Sequence, residues 1–475
     1  MRRRLHALAA VAVARLAALE RATRPADPDA TAALERRWAE LPAAVRTDAQ
    51  VLGRRFAGCE GTHGVFPRCD LACTPCYHSA EAQRVRTDGS HTVREVERQM
   101  AHLRRARGPS GHAQLIGGEV TLLAPEDHAA ALEAMRRHGR HPMSMSHGDF
   151  DYEYLERLAV DAATGRRRFA RIAFAGHFDS LMLGRRGIPR PRLEADLHPY
   201  RREFVAKFAR LRREHGVRSV LAHNMTVTPR NVGEVAEVVG ACLDMGFRLL
   251  SFQPAAAIGN PRRWKEDFRA VTMDGVWREM ERGAGTRLAW RGLQVGDPRC
   301  NRTAYGLRVG HRWLPVVDER DLRDLAARDA YLETFRGVDL GGPQPLTTVR
   351  VARALLARPR ALVLAAGWAG RFVRRAGLVN LVRHGVRPLT FVVHAFIDAE
   401  TTRAAWAASE AGETAAEPEV RAAQERLAAC SYAMAHPDED RIVPACVQHA
   451  VLDPEENRRL MRVLPRHPRD RGAGV

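Results

Sequence analysis

The pattern of hydrophobic and polar positions divides the chain near residue 56. Before that point the sequence is rich in Ala, Arg and Leu at helical spacing, with a break at PADPD (25–29) and no strand pattern. Beyond it, short apolar runs alternate with amphipathic stretches. The apolar runs predict strands over 112–118, 141–146, 169–179, 217–227 and 247–259. The amphipathic stretches predict helices over 92–106, 125–139, 199–216 and 230–246. Thr92 and Glu95 fit a capping box for the first of these helices.

This alternation predicts a parallel sheet whose strands are joined by right-handed crossovers. About six strand–helix repeats are visible, which fits an incomplete barrel or a doubly wound sheet. After residue 285 the alternation weakens: residues 351–385 predict two apolar, Arg-rich helices, 386–399 a strand, and 400–432 mainly helix. We therefore expect three parts, which are an N-terminal helical segment (1–55), an α/β domain (56–285) and a mixed α+β C-terminal region (286–475).

The chain is strongly basic, with 75 Lys and Arg against 56 Asp and Glu, so its formal charge is 75 − 56 = +19. Such a balance is typical of proteins that bind nucleic acid or an anionic membrane. However, the basic residues are almost all Arg and are spread along the chain, aromatic residues make up only 6%, and no nucleic-acid-binding motif occurs. We interpret the charge as a solvated basic surface and do not expect nucleic acid as a partner.

The N-terminal sequence MRRRLHALAAVAVARLAALERA has the basic start and short apolar stretch of a signal peptide. Arg15 interrupts the apolar stretch and Glu20 ends it, so we expect an amphipathic helix that lies on the protein or on a membrane surface instead. Elsewhere no apolar run reaches the roughly 18–20 residues of a membrane span. These features predict a cytoplasmic protein with peripheral contact to a membrane.

Three of the eight cysteines fall within the stretch CDLACTPC, at positions 69, 73 and 76. Clustered cysteines in a chain of this length favour a metal site or catalysis over a disulfide framework. Thiolates hold iron–sulfur clusters, and a cubane held by three of them leaves one iron open to bind a small molecule. Zinc is the alternative, with His78 or Cys59 as the fourth ligand beside Cys69, Cys73 and Cys76.

The C-x3-C-x2-C spacing after a first strand resembles the signature of the radical S-adenosylmethionine (radical SAM) enzymes. LIGGE, at the end of the next predicted strand, is similar to the GGE motif of that family. The resemblance implies that backbone groups of Gly117 and Gly118 and the carboxylate of Glu119 hold the amino group of SAM. In the family an aromatic residue usually precedes the third cysteine and packs near the adenine. Here Pro75 stands at that position, and Tyr77 is predicted to replace the aromatic residue.

By this resemblance the fold is a partial (β/α)6 TIM-type barrel over residues 56–285, with the N-terminal helical segment and the α+β C-terminal region added. Cys69, Cys73 and Cys76 would hold a [4Fe–4S] cluster, and SAM would chelate its open iron. One-electron cleavage of SAM would give a 5′-deoxyadenosyl radical that takes hydrogen from an organic substrate. A reductant such as a flavodoxin or a ferredoxin is implied as a partner.

Further polar residues stand at the carboxyl ends of the predicted strands, where α/β folds bind ligands. By the resemblance, residues at these points contact the ribose and the carboxylate of SAM. The candidates are His147, His177, Asp179, Asn224, Thr226 and Gln253. Taken alone, a histidine in a strand is more often a core residue, and two adjacent glycines are more often ordinary turn residues.

Four more cysteines are far apart in the sequence, at Cys59, Cys300, Cys430 and Cys446, whereas Cys242 lies on an apolar helix face and is predicted to be core. Several radical SAM subfamilies carry a second cluster, so the four are candidate ligands of a second iron–sulfur cluster. The region also loosely resembles the C-terminal part of enzymes related to archaeal tetraether lipid synthase. The matching residues are His394, Asp398, Cys430, Arg441, Pro444 and Cys446, with Asp440 in place of a loop glycine. That resemblance implies a long apolar, lipid-like substrate.

We therefore expect a radical SAM enzyme. Two alternatives stay open, namely a zinc- or cluster-binding module for nucleic acid and an iron–sulfur electron carrier that does not cleave SAM. The enzyme hypothesis predicts iron, labile sulfide and SAM cleavage, whereas the hypothesis of a nucleic-acid module predicts zinc and salt-dependent binding of nucleic acid. The carrier predicts a cluster that leaves SAM intact.

Overall fold

One large sheet organises the chain in the computed structural model, which describes residues 2–259, 261–264, 270–340 and 344–466. The strands of this sheet and of a small two-stranded sheet are β1 (Cys59–Gly61), β2 (Ala72–Cys73), β3 (Gly111–Leu115), β4 (Arg140–Ser146), β5 (Arg171–His177), β6 (Met182–Leu183), β7 (Arg218–Val227), β8 (Leu249–Pro254), β9 (Asn301–Val309), β10 (Arg312–Pro315), β11 (Arg387–His394), β12 (Tyr432–His436) and β13 (Arg441–Pro444). The helices are α1 (Arg2–Thr23), α2 (Pro28–Glu40), α3 (Gly89–Arg107), α4 (Pro125–Arg137), α5 (Tyr152–Ala159), α6 (His198–His215), α7 (Val235–Met245), α8 (Met273–Ala284), α9 (Leu322–Thr334), α10 (Gln344–Leu356), α11 (Pro359–Ala376), α12 (Leu378–His384), α13 (Ala399–Glu410), α14 (Pro418–Ala428), α15 (Ala445–Val447) and α16 (Asp453–Val463).

Six strands of the large sheet run parallel and in chain order, as β1-β3-β4-β5-β7-β8. Helices α3 to α7 make the crossovers between them, and α8 follows the last strand, which completes six strand–helix repeats. The sheet curls into a partial barrel, and this confirms the predicted partial (β/α)6 TIM-type fold. A doubly wound sheet is excluded because the strand order does not reverse within these six strands.

The C-terminal region supplies both edges of this sheet. β11 pairs in parallel with β8, and β12 pairs in parallel with β1. The β9–β10 hairpin then covers β11, and β13 covers β12, in both cases antiparallel. Each added strand protects the backbone groups of the barrel strand beside it from unwanted pairing. The boundary predicted at residue 285 stays a prediction, since strands beyond it extend the barrel sheet.

Side chains of the barrel strands alternate between the helix layer and the inner face. In β5, Phe174 packs beneath the helices. Ala175 instead meets Met143 of β4 and Ala222 of β7 on the inner face. Continuing this period of two places polar residues at the carboxyl ends of the inner face, and these are His147 after β4, His177 of β5, Asn224 and Thr226 of β7, and Gln253 of β8.

Helix α3 starts earlier than predicted, and the capping box of Thr92 and Glu95 is wrong. Its N-cap is Asp88, whose carboxylate accepts the backbone N–H of His91 at 2.9 Å. The helix therefore begins at Gly89, because an Asp side chain satisfies the first free N–H groups before the Thr92 position is reached.

The segment 351–385 contains three helices where we predicted two. Helix α10 starts before the segment, and Gly377, with a φ of +81°, separates α11 from α12. A positive φ suits glycine, so this residue permits the chain to turn between two short helices. Helix α5 and the β9–β10 hairpin were not predicted, because each is short and lacks a long periodic pattern.

The N-terminal segment forms α1 and α2, with the break at the predicted PADPD. The C-terminal end of α1 contacts α10, since Arg350 Nε donates to Ala22 O at 2.8 Å and Arg353 donates to Thr23 Oγ1 at 2.8 Å. The described apolar residues Val13, Leu16 and Leu19 of α1 are 55% to 66% exposed, so a helix that lies on the protein or on a membrane surface stays a prediction. Within the described ranges, no helix is both long enough and apolar enough to cross a membrane.

The carboxyl end of β5 is held by a buried ion pair. Arg201 of α6 donates to Glu194 Oε2 at 2.7 Å and to Phe178 O at 3.1 Å, and both charged side chains are 0% exposed. We expect Arg201→Met to lower the free energy of unfolding by about 3–5 kcal/mol, because it leaves the Glu194 carboxylate buried without its partner. Urea denaturation measures this change.

Arg210→Met on the same helix is the matched control. Arg210 pairs with Glu214 at 2.9 Å, but the two side chains are 51% and 40% exposed. Solvent screens such a pair, so its loss should change the free energy of unfolding far less than Arg201→Met does. Equal destabilisation by the two substitutions would contradict the role given to Arg201.

Candidate active site

The three clustered cysteines lie in the loop that follows β1. Cys73, in β2, pairs with Met182 of β6 in an antiparallel bridge. The N–H of Thr74 donates to Leu181 O at 3.1 Å. These bonds anchor the cysteine loop on the segment that follows β5, so the loop lies at the carboxyl ends of the barrel strands.

Tyr77 directly follows the last cysteine and shares its electrostatic surroundings with all three thiols. Burial raises the pKa of the Tyr77 hydroxyl, and the thiols of Cys76, Cys73 and Cys69 each contribute to the rise. Burial also raises the pKa of Cys69, and the neighbouring carboxylate of Glu119 raises it further. A thiolate at Cys69 therefore needs a compensating cation beside it, which is what a metal-binding position provides.

Gly117 and Gly118 lie directly against the backbone at the start of the cysteine loop. The N–H of Gly118 donates to Phe66 O at 2.7 Å, and the N–H of Glu119 donates to Arg68 O at 2.8 Å. A Cβ atom on Gly118 would overlap the carbonyl oxygen of Arg68, and one on Gly117 would come within 2.6 Å of the Phe66 ring. Glycine is required at both positions because the two backbones approach this closely.

The carboxylate of Glu119 is buried and joins β3 to β4. Its Oε1 accepts from the hydroxyl of Thr121 at 2.7 Å and from that of Ser146 at 2.8 Å. Its Oε2 accepts the N–H of His147 at 2.8 Å. These bonds fix the carboxylate at the carboxyl ends of the two strands, where the family resemblance assigns it to the ammonium group of SAM.

His147 connects the end of β4 with the cysteine loop. Its Nε2 is 2.8 Å from Asp70 Oδ1 and 3.4 Å from Glu119 Oε2. Burial opposes the charged imidazole, but the two carboxylates outweigh it and raise the pKa of His147. Arg185 also donates to His147 O at 2.7 Å and to His177 O at 3.3 Å, which holds the ends of β4 and β5 together.

The remaining predicted rim residues lie on adjacent strands. His177 Nε2 is 2.7 Å from Asp179 Oδ2, and the same nitrogen is 3.2 Å from Thr226 Oγ1. Asp179 Oδ2 also accepts the N–H of Thr226 at 3.1 Å. In the sheet register His177 stands beside Asn224, and Thr226 stands beside Gln253. The structure thus brings these five residues to one end of the barrel.

Tyr77 packs against the C-terminal region. Its ring centroid lies 4.6 Å from that of His449 and 6.4 Å from that of Phe396. His449 Nδ1 is 2.7 Å from Asp453 Oδ2, and both side chains are buried. We did not predict the His449–Asp453 pair or Arg185 from the sequence. The four-residue spacing of His449 and Asp453 was the one available signal, and it does not indicate what the pair contacts.

The zinc ligand sets considered from the sequence are not assembled. Cys59 begins β1, so the strand and the following residues separate it from the cysteine loop. His78 Nε2 is 2.5 Å from Gly117 O. Among the described residues, the donor atoms that lie within 4.8 Å of one another at this loop belong to Cys69, Asp70 and His147, and not to the three cysteines together. Zinc–sulfur bonds of about 2.3 Å would place the three sulfurs about 3.8 Å apart, so their wider separation suits a cubane better.

The four distant cysteines meet at another position. Burial raises the pKa of Cys59 to about 11, with contributions from Glu60 and from the Cys430 thiol. Burial likewise raises the pKa of Cys300 to about 11 and that of Cys446, and in both cases Cys430 adds to the rise. The Cys430 thiol is therefore part of the electrostatic surroundings of each of the other three thiols, and it lines the same cavity as Cys59.

The backbone explains this convergence. Cys59 stands beside Tyr432 in the β1–β12 pairing, and the N–H of Cys59 donates to Ser431 O at 2.7 Å. Cys446 follows β13, which pairs with β12. Arg426, in the last turn of α14, donates to Cys300 Sγ at 3.1 Å. Pairing of β12 with both β1 and β13 thus gathers cysteines from three distant parts of the chain.

Other residues of the C-terminal pattern have structural partners. His394 ends β11, and burial lowers its pKa to about 4, so it is neutral at pH 7. Asp398 Oδ1 accepts the N–H of Ala257 at 2.6 Å. Arg441 pairs with Glu410 at 3.2 Å. Pro444 is the β13 partner of Ala433, and Cys242 is buried in the core as predicted.

Residues 64–242 match the model of the Radical SAM superfamily. The matched range contains the cysteine loop, the GGE segment and the barrel as far as α7. The resemblance recognised in the sequence is thus confirmed over this range, which carries a radical SAM domain. A [4Fe–4S] cluster and SAM are the cofactors that this family implies, and the donor set described above fits them.

Two solved structures align with parts of the chain. Native anSMEcpe with bound AdoMet shows 15% identity and a TM-score of 0.31, over 48% of this chain and 62% of that chain. Streptococcus suis SuiB bound to the precursor peptide SuiA shows 15% identity and a TM-score of 0.28, over 42% of this chain and 39% of that chain. The alignments thus span less than two thirds of either protein. The comparison with curated proteins gives no match.

We expect Gly118→Ala to reduce SAM cleavage about 100-fold. The added methyl group overlaps the Arg68 carbonyl and displaces the cysteine loop from β3, and displacements of this kind cost about that factor. Gly233→Ala is the matched control, because a Cβ at Gly233 meets no atom within 4 Å. Anaerobic measurement of 5′-deoxyadenosine compares the two variants, and equal activity would contradict the close-approach argument.

Proposed function

We propose that Cys69, Cys73 and Cys76 hold a [4Fe–4S] cluster at which SAM is reductively cleaved, and that the resulting 5′-deoxyadenosyl radical takes hydrogen from an organic substrate. The observation that carries this proposal is the pair of backbone hydrogen bonds from Gly118 and Glu119 to the start of the cysteine loop. They join the two motifs of the family into one rigid unit. Binding of nucleic acid does not require the two motifs to be held together in this way.

The chain's own residues position SAM and limit its motion. The backbone at Gly117 and the carboxylate of Glu119 bind its ammonium group, because a buried carboxylate pairs strongly with an ammonium ion. His147 takes part by holding Glu119 and the cysteine loop in fixed relation. Tyr77 is the aromatic residue assigned to the adenine, and its contact with His449 orients its ring.

The rim of the barrel binds the remainder of SAM. His177, Asp179, Asn224 and Gln253 supply hydrogen-bond donors and acceptors for the ribose and the carboxylate, and Thr226 lies among them. The His177–Asp179 hydrogen bond fixes the imidazole before SAM binds. A small electron-transfer protein such as a flavodoxin or a ferredoxin serves as the reductant.

The four converging cysteines bind a second iron–sulfur cluster. Four thiolates around iron carry negative charge, and Arg426 lies 3.1 Å from Cys300 Sγ. Burial raises the pKa of Cys430, and Arg37 and Arg107 partly oppose this rise. These two arginines therefore add positive charge near the cysteines. Within the described residues, the four sulfurs are not all within 4.8 Å of one another, whereas tetrahedral zinc would need about 3.8 Å. Iron–sulfur chemistry therefore fits this set better than zinc.

The substrate is apolar and lipid-like. Two observations support this part of the proposal. The inner face of the barrel is lined by a cluster of apolar side chains around Met143, Ala175 and Ala222. The C-terminal segments loosely resemble those of enzymes related to tetraether lipid synthase. Transfer of deuterium from a deuterated phospholipid chain to 5′-deoxyadenosine tests this, and transfer from a peptide instead would contradict it.

We expect the anaerobically reconstituted protein to form 5′-deoxyadenosine from SAM when dithionite is added, and Cys73→Ala to form none. Loss of one of three thiolates leaves the cluster without a ligand. Cys242→Ala is the matched control, because Cys242 is buried in the core and belongs to neither cysteine set. Chromatography with mass detection measures the product.

The alternatives give different outcomes in the same experiment. A full cluster without product in the presence or absence of lipids would favour an electron carrier. Zinc in place of iron, together with salt-dependent binding of nucleic acid, would favour a nucleic-acid module. Equal product from Cys73→Ala and the unchanged protein would overturn the assignment of the cysteine loop.

We expect about eight iron atoms per chain after reconstitution, four for each cluster, and about four in Cys430→Ala. A variant with Cys69, Cys73 and Cys76 replaced by Ala should also keep about four. Cys242→Ala should keep the full number. Elemental analysis and Mössbauer spectroscopy measure this, and zinc bound to the set around Cys430 would contradict the second cluster.

A further inference from the structure

Exposed apolar side chains are concentrated on one part of the molecule. Of the seventeen large hydrophobic residues exposed among the described residues, nine lie between positions 349 and 386. This stretch is less than a tenth of the chain. The most exposed are Leu356, Val363, Leu378, Val379 and Val382, with exposed fractions from 66% to 82%. Scattered exposed hydrophobic residues are normal, but a concentration of this kind marks an interaction surface.

The helices that carry these residues are packed against the β9–β10 hairpin through α11. Phe372 and Ala376 of α11 are buried in a cluster with Val309 and Leu314 of the β9–β10 hairpin. Trp368 Nε1 donates to Val316 O at 2.7 Å. Helix α11 thus has one packed face and one exposed face. None of the residues of α12 is buried, so this short helix projects from the hairpin.

The same surface is strongly positive. Residues 340–397 contain nine arginines and no Asp or Glu. Five of the nine bind other parts of the chain, for example Arg371, which pairs with Asp324 at 2.7 Å. Arg360, Arg374, Arg383 and Arg387 are exposed, and the described acidic residues provide no ion pair for them. On α12, Arg383 lies four positions after Val379 and therefore on the same side of the helix as this valine.

We infer that the exposed faces of α11 and α12 bind the surface of an anionic phospholipid bilayer. Valine and leucine side chains enter the boundary between headgroups and acyl chains, and the flanking arginines bind lipid phosphates. A second copy of the chain is a poor occupant, because two such surfaces would bring arginines against arginines. RNA is also a poor occupant, because the exposed residues are aliphatic and offer no rings for base stacking.

This surface is separate from the cysteine loop and does not depend on the proposed reaction. Membrane binding would place an enzyme that acts on lipid chains beside its substrate. Failure of one proposal leaves the other standing, since vesicle binding requires neither reductant nor SAM. The two can therefore be tested on the same reconstituted protein.

The test is co-sedimentation of the reconstituted full chain with sucrose-loaded vesicles. We expect vesicles of phosphatidylcholine and phosphatidylglycerol to bind it at least about tenfold more tightly than vesicles of phosphatidylcholine alone. The double variant Val379→Asp with Val382→Asp should weaken binding at least about tenfold, and so should Arg374→Glu with Arg383→Glu. All four residues are exposed, so the variants should fold, which circular dichroism checks.

Val463→Asp is the matched control, because Val463 is 63% exposed on α16, outside this surface. It should bind vesicles like the unchanged protein. Unchanged binding by the α12 double variant, or no preference for anionic vesicles, would overturn the inference. A dimer in light scattering that the double variant converts to a monomer would assign the surface to a second copy. Binding of single-stranded RNA that the arginine variant abolishes, without vesicle binding, would assign it to RNA.

Discussion

The close approach of two backbones, at Gly117–Glu119 and at residues 66–68, is the constraint on which the site depends. β3 is followed by Ile116 and the two glycines, and the cysteine loop leaves β1 beside it, so the two strands bring both segments together. Without a side chain at Gly118, the loop can lie against β3 and form main-chain hydrogen bonds. The position of the thiols is thereby set by strand geometry, which is more rigid than that of a free loop.

A second constraint is electrostatic. Glu119, His147 and Asp70 form a chain of charged groups that starts after β3, where Glu119 and His147 are buried, and ends at the exposed Asp70 of the cysteine loop. Burial makes an unpaired carboxylate or thiolate costly, and here it raises the pKa of Cys69. The imidazole offsets part of the negative charge, and a cluster with SAM would offset the remainder. The same logic holds at the second set of cysteines, where Arg426 lies beside Cys300.

Local patterns in the sequence were enough to predict the barrel and to locate the two motifs of the candidate site. Strand–helix periodicity requires only neighbouring residues, and the cysteine loop and GGE are each contiguous. The rim residues His177 and Gln253 followed from their place at strand ends, since parallel strands end at one edge. Arg185 and the His449–Asp453 pair could not be predicted, because the structure brings them to the site from distant segments. The capping error at Thr92 has a different cause, since two possible caps competed and Asp88 is the earlier one.

In the C-terminal region, strand pairing brings together cysteines that are far apart in the sequence. β12 pairs with β1 on one side and with β13 on the other, and these two pairings bring Cys59, Cys430 and Cys446 together. His449 follows Cys446 by three positions and packs against Tyr77, which follows the last cysteine of the other loop. The two sets of cysteines are therefore linked by a short, packed and largely buried segment. Solvent screens charges along this segment poorly, because Cys446 and His449 are buried.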